Sequence, residues 1–256
     1  MRSTEVECPK TYSNLCRKFL GAGHIPLWKR ILDGICILIS LPLTLPVFLL
    51  IALWIKLVSR GPVFFSQERV GFEGSRFTLF KFRTMKTNVE TNLHEKHTAG
   101  LIEAEDVPMT KLDVLGDPRI IPGGKILRAL GIDELPQLLN VVRGEMSLVG
   151  PRPCLPCEWA KLKEWQRERY NSAPGLTGKW QVSGKNRTTF AQMIKLDIWY
   201  TRNVSLAVDL EIMLKTVPAI LAQVGAKRKR GAIPPLVPVV SVRPETSLVG
   251  TPEGEF

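Results

Sequence analysis

Five cysteines and three histidines in 256 residues are too few for a disulfide framework and give little from which to build a zinc centre. The cysteine count is odd, which suits a reducing cytoplasm. Cys154 and Cys157 have the spacing of a redox pair or half a zinc site, and His94 with His97 could complete the latter on paper. Those histidines lie far away in a polar stretch and no βαβ pattern surrounds the cysteines, so the pair reads as incidental. Acidic residues are also scarce, 24 Asp and Glu against 35 Lys and Arg, for a net charge of +11. Such a field attracts nucleic acid, anionic headgroups or nucleotide phosphates. Helix-turn-helix, zinc-finger and RNA-binding signatures are missing, so nucleic acid is set aside as a partner. No internal repeat is visible, and the length suits one core plus an anchor.

Charge is absent altogether from residues 34–55, a Leu- and Ile-rich run about long enough to cross a bilayer as a straight helix. It starts too late, runs too long and lacks the cleavage pattern of a signal peptide. Pro42 and Pro46 fall in its middle and predict a bend. Basic residues flank both ends, Arg17, Lys18, Lys29 and Arg30 before it and Lys56, Arg60, Arg69 and Arg76 after it. The positive-inside tendency therefore puts both flanks in the cytoplasm, as a re-entrant helix would, with Trp28 and Trp54 at headgroup depth. An ordinary kinked spanning helix is the alternative.

After Gly61-Pro62, residues 63–67 and 76–82 read as strands around a turn at 71–75, a β-hairpin. Residues 86–122 form a long polar loop. Helical spacing returns at 125–130, 133–142 and 158–170, then at 189–200 and 205–224. In the last of these Leu206, Leu210, Met213, Leu214, Val217 and Leu221 make an apolar stripe, expected to be buried core, with a lipid-facing role as the other option. The Pro-rich end reads as a flexible basic tail. The expected fold is α+β and mainly helical. Its segments are an extension (1–27), a membrane-embedded, re-entrant helix (28–58), a cytosolic catalytic domain with a small β-hairpin (59–224) and a tail (225–256).

Residues 131–153 carry the chemistry. Asp133 follows Gly131 and precedes a helix with Pro136 in its first turn, so it suits an N-cap. The same position exposes a carboxylate that could attack phosphorus, while Glu134, about 100° around a helix, helps hold a divalent cation. Pro151-Arg152-Pro153 fixes a turn that presents Arg152 as a preorganised fork for phosphate.

Several motifs follow one another in order: Lys29-Arg30 with Asp33, Gly61-Pro62-Val63-Phe64-Phe65 with Gln67, Arg69 and Gly71, and Lys81-Phe82-Arg83-Thr84-Met85. Asp133-Glu134-Leu135-Pro136-Gln137, the run from Gly144 to Pro153, Pro174-Gly175-Leu176-Thr177-Gly178 and Asp197 with Tyr200, Asn203 and Ser205 complete the series. This order resembles the bacterial sugar transferase family, the monotopic phosphoglycosyl transferases, over residues 28–224. The resemblance implies a membrane enzyme moving a sugar-1-phosphate from a UDP-sugar to polyprenyl phosphate, normally undecaprenyl phosphate, with Mg²⁺ and release of UMP. That reaction initiates exopolysaccharide, capsule, O-antigen or glycoconjugate assembly at the bacterial inner membrane, with the catalytic domain facing the cytoplasm and downstream glycosyltransferases as further partners. By matched position Asp133 is the nucleophile and Glu134 its dyad partner, with Lys81 and Arg128 completing the catalytic set. Arg152, Pro151, Pro153, Arg187 and Arg83 would bind substrate, and Asp133, Glu134 and Asp197 would serve the metal. Where relatives often have Ser-Pro at the break in the membrane helix, this chain has Leu45-Pro46. It also lacks the transmembrane helices that precede the catalytic part in larger members, which suggests a minimal catalytic form. The rival reading is a non-catalytic membrane scaffold for glycosyltransferases.

Overall fold

A run without charge can satisfy its backbone in lipid only by closing its own hydrogen bonds, and here it does so as a single helix, α1 (Leu27–Val58, 32 residues). The computed structural model describes residues 25–86, 100, 119–184 and 188–229. Among these, α1 is the one helix long and apolar enough to cross a membrane. It continues through Pro42 and Pro46, so the bend expected at the prolines is not a break in the helix. Its middle is bare: Leu38, Ile39, Leu43, Leu49 and Leu50 are exposed.

Both ends of α1 are docked on the rest of the chain. At the start, Lys29 is buried in an ion pair with Asp209 and donates to the Tyr200 hydroxyl at 3.0 Å. Arg30 donates to the Val141 carbonyl at 2.7 Å, and Asp33 accepts from the Ser147 hydroxyl and the Leu148 N–H, each at 3.1 Å. At the far end Ile51 and Ile55 pack on Phe82 and Ile121, and the Trp54 indole donates to the Pro122 carbonyl at 3.2 Å. Gly123 beside it has φ +75, and a Cβ there would stand 2.9 Å from that indole nitrogen.

The expected hairpin is present. Strands β1 (Phe64–Val70) and β2 (Arg76–Phe82) pair antiparallel with Phe65 opposite Lys81. Helix α2 (Gly124–Leu130), a 3₁₀ turn (Ile132–Gln137) and helix α3 (Leu138–Arg143) follow. The free edge of β2 is covered by Asn140, which is fully buried: its amide donates to the Thr78 carbonyl at 2.7 Å and its Oδ1 accepts from the Phe80 N–H at 3.2 Å. This side chain replaces a neighbouring strand and locks the 132–143 segment onto β2.

A second sheet was not expected. Strand β3 (Ser147–Val149) pairs parallel with β4 (Gly175–Thr177), and the crossover holds α4 (Pro156–Lys161), α5 (Glu164–Arg167) and a 3₁₀ turn (Glu168–Asn171). The helix expected over 158–170 is thus three pieces, because extended backbone at Leu162 turns that side chain into the core. The crossover also corrects the expectation of no βαβ pattern near Cys154 and Cys157. Cys154 is buried in a bridge to Val70, and Cys157 is exposed.

Helix α6 (Lys179–Val182) leads to α7 (Phe190–Arg202) and α8 (Leu206–Lys229). Thr189 opens α7 with a capping box: its hydroxyl accepts from the Gln192 N–H at 3.3 Å and its N–H donates to the Gln192 side chain at 3.0 Å. Phe190, Met193, Ile194 and Ile198 then join Val70, Cys154, Leu162, Tyr170 and Trp180 in the main core. Most of the stripe on α8 is not buried core: Leu206, Leu210, Leu214, Val217 and Leu221 are exposed, Met213 is half-buried against the core, and Asp209 with Ile212 face inward. The chain is therefore mainly helical with a small antiparallel hairpin and one long apolar helix. Most of the expected loop, residues 1–24, the tail from 230 and His94 and His97 lie outside the described residues.

Candidate active site

Gly131 sets the geometry of the acidic pair. It ends α2 and starts the 3₁₀ turn with a left-handed backbone at φ 70, which a glycine adopts without strain. Asp133 therefore sits inside the turn, whose N-cap is Gly131 with no side-chain capping bond, so the N-cap expectation for Asp133 fails. The Asp133 side chain is almost entirely buried, at 9% exposure, whereas Glu134 is one-third exposed. Lys81 reaches Glu134 from β2 at 2.8 Å, so one dyad carboxylate is charge-paired across the hairpin. Arg128 stands in the last turn of α2, half-buried, five residues before Asp133. Three of the expected catalytic groups thus come from adjoining segments, and Lys81 joins them through its ion pair.

The Pro151-Arg152-Pro153 turn is held from three sides. The Gly150 N–H donates to Thr177 O at 2.8 Å and the Gly175 N–H to Pro151 O at 2.9 Å, while Val70 and Cys154 exchange backbone bonds at 2.9 and 3.2 Å. Beneath it, Arg169 donates to the Arg152 carbonyl at 3.0 Å. The strands approach too closely for side chains: a Cβ on Gly150 would lie 2.2 Å from Ala173 O, and one on Gly175 2.0 Å from Gly150 N. The Arg152 guanidinium is partly exposed and 3.4 Å from Glu158, so this backbone frame presents it with little freedom.

Arg169 is the residue sequence reading missed. It is fully buried in an ion pair with Asp197, which lies on α7. Burial pushes the Asp197 carboxyl up to about 6, and the charge of Arg169 and the Arg152 backbone draw it back only part of the way. Asp197 thus lies under the Pro-Arg-Pro turn. No group of three Asp, Glu, His or Cys side chains suited to a metal occurs among the described residues, so Asp197 does not join the dyad in one. Arg83 has a similar inward role, donating to the Arg60 and Ser59 carbonyls at 2.6 and 2.9 Å and fastening the end of α1. Arg187 lies outside the described residues. Burial raises the Cys154 thiol, which keeps it protonated and unreactive in the core.

Residues 25–223 match the model of the family described as bacterial sugar transferase. An exopolysaccharide production protein of Sinorhizobium fredii is 40% identical over 77% of this chain and 87% of its own length. The UDP-glucose:undecaprenyl-phosphate glucose-1-phosphate transferase of Caulobacter vibrioides is 42% identical over 77% of this chain and 71% of its own. The undecaprenyl-phosphate galactose phosphotransferase of Salmonella typhimurium is 36% identical over 77% of this chain and 41% of its own. With the family match spanning most of its length and an acidic dyad, a lysine and a rigid arginine turn in place, this chain belongs to the bacterial sugar transferases.

Proposed function

We propose that this enzyme transfers a sugar-1-phosphate from a UDP-sugar to polyprenyl phosphate and so starts the assembly of a cell-surface glycan. The observation that carries the reading is the Asp133-Glu134 turn: Gly131 sets both carboxylates in one 3₁₀ turn, and Lys81 is ion-paired with Glu134. In the first step an Asp133 oxygen attacks the phosphorus next to the sugar. A phosphorus–oxygen bond forms to the carboxylate as the bond to the departing phosphate breaks, and UMP leaves with that electron pair. In the second, an oxygen of the polyprenyl phosphate attacks the same phosphorus and frees the carboxylate. Both steps bring anions together, which requires fixed cations, and Lys81, Arg128 and Arg152 are the candidates.

Mg²⁺ fits the donor set, since Asp133 and Glu134 offer hard oxygen ligands and this ion commonly takes one or two carboxylates with substrate phosphates and water. When bound, it would quench phosphate charge. Asp197 is assigned to positioning Arg152 rather than to the metal.

The membrane setting follows from α1. At 32 residues a straight helix would run ~48 Å, yet both its first and last turns are fastened to the same domain. Those contacts support a path that enters and leaves the membrane by one face. A re-entrant helix with the domain on the cytoplasmic face of the inner membrane fits them, and the lysines and arginines at both ends agree.

The test is the covalent adduct. Donor-treated protein, analysed by mass spectrometry without lipid acceptor, should carry a phosphosugar on Asp133, and Asp133→Asn should release no UMP. Undiminished UMP release by that variant would remove Asp133 from the nucleophile's role.

A further inference from the structure

Two tryptophans stand open beside a cleft that the proposed reaction does not use. Trp165 on α5 and Trp199 on α7 are 46% and 41% exposed, whereas a side chain this large and apolar is on average well buried. They line a cleft of about 330 Å³ together with the buried Ile198 and with Lys195, Arg202 and Glu168. Arg202 is engaged within it, donating to Glu168 at 2.5 and 2.7 Å. Lys195 is exposed and, among the described residues, has no ion-pair partner. Lys179 adds a third cation, 4.5 Å over the Trp199 ring. Open aromatic walls with a surplus of positive charge suit an acidic segment that carries proline or aromatic side chains.

Lipid is not the natural occupant. Lys179 also reaches Glu211 on α8 at 3.5 Å, and helical spacing sets Glu211 about 100° around α8 from the middle of the exposed stripe. The cleft and the stripe thus lie on different flanks of α8. A chain segment of fitting chemistry is closer at hand. Helix α8 ends at Lys229, and residues 230–256 follow. A straight α8 is about 36 Å long, and the cleft adjoins its start through Asn203. About 11 extended residues cover that return, so the stretch from Pro244 to Phe256 can reach the cleft. In a chain of net charge +11, this stretch carries Glu245, Glu253 and Glu255 and no Lys or Arg.

We infer that the cleft between Trp165 and Trp199 is the docking site of this acidic segment of the same chain. Its glutamates face Lys195 and Arg202, while Pro244, Pro252 and Phe256 supply flat apolar groups for the two indoles. Tethering gives the segment an effective concentration on the order of millimolar, so a few weak contacts hold it. The docking is independent of the chemistry proposed for Asp133.

The experiment uses the full chain in lipid nanodiscs. A water-soluble carbodiimide joins a carboxylate and an amine as an amide and takes up the water as a urea. It should link Lys195 to Glu245, Glu253 or Glu255 in protein of monomer mass. In E245Q/E253Q/E255Q the docking should weaken roughly tenfold, since exposed pairs are weak singly and three are removed together. Hydroxyl-radical footprinting should then show faster oxidation of Trp165 and Trp199, with Trp54 unchanged as the reference. Lys195→Glu should expose the same two tryptophans, and combining it with E245K/E253K/E255K should protect them again. Equal oxidation of Trp165 and Trp199 in parent and E245Q/E253Q/E255Q would overturn the assignment. Protection that both share and that grows with protein concentration would make the cleft an interface between copies, and protection lost from both in detergent would make it a membrane face. Either overturns docking of the segment, as would carbodiimide links found only at dimer mass.

Discussion

Asp197 is a buried charge linked to the Pro-Arg-Pro turn through Arg169. Its partner Arg169 grips the Arg152 carbonyl, so ionisation at one end of this chain of contacts governs the rigidity of the other. With the carboxyl raised to about 6 in the folded protein and near 3.8 in the unfolded chain, the native state holds an extra proton between those values. The group therefore contributes stability that is complete below about pH 4 and is lost as the pH rises through about 6. Between pH 4 and about 6 the melting temperature of the parent should fall more steeply with rising pH than that of Asp197→Asn, and parallel curves would refute the assignment. Activity should move oppositely, because a protonated Asp197 loosens Arg169: kcat/KM of the parent should fall below pH about 6, and Asp197→Asn should not show that limb. Asn140 is the other quiet residue. Replacing it with Leu leaves the Phe80 N–H and the Thr78 carbonyl without their buried partner, at about 2–4 kcal/mol for two such groups. Chemical denaturation should show that loss, together with a lower kcat as Lys81 loses its fixed place against Glu134.

At the scale of elements, the legible parts of the sequence were those with a local signature. The hairpin has aromatic-rich strands on either side of a turn with two glycines, and α7 begins with a Thr and a Gln three residues apart that form its capping box. Strands β3 and β4 have three residues each, too few for alternation to register, and their pairing rests on glycines whose missing Cβ atoms allow contact. The charged run at 158–170 has helical composition throughout, and only burial of Leu162 divides it. The acidic dyad and the Pro-Arg-Pro turn were readable from residue order; Arg169 was not, since its meaning depends on partners distant in the chain. Helix α1 makes its own prediction. Because Lys29 and Trp54, near opposite ends, are fastened to one domain, single cysteines placed at Pro26 and at Arg60 should both resist a membrane-impermeant maleimide in intact cells and both react after permeabilisation. Labelling of one site from outside would exclude the re-entrant path.

Among the described residues, exposed apolar side chains run along α1 and also lie on α3 and α8, two helices held to the start of α1. The Lys29–Asp209 pair fixes the start of α8 where α1 leaves the domain, and the outward neighbours on α8 are Leu206 and Leu210. Arg30 fastens α3 at the same place, where Leu139 and Val142 are exposed. From there the stripe continues outward through Leu214, Val217 and Leu221. An exposed apolar stripe of this kind beside a helix apolar enough to cross a membrane would suit the headgroup boundary, which would bring the dyad to the depth of a lipid phosphate. Replacing Leu214 and Leu221 by Asp changes exposed side chains, so the fold should keep its stability within about 1 kcal/mol. The two half-reactions should then separate. Adduct formation on Asp133 and UMP release in its single turnover should be unchanged, since the donor is soluble. Transfer to polyprenyl phosphate in anionic vesicles should fall roughly tenfold or more, as two leucines lose their contact with lipid and two negative charges face the headgroups. Equal transfer by parent and variant would mean that α1 alone seats the domain on the membrane.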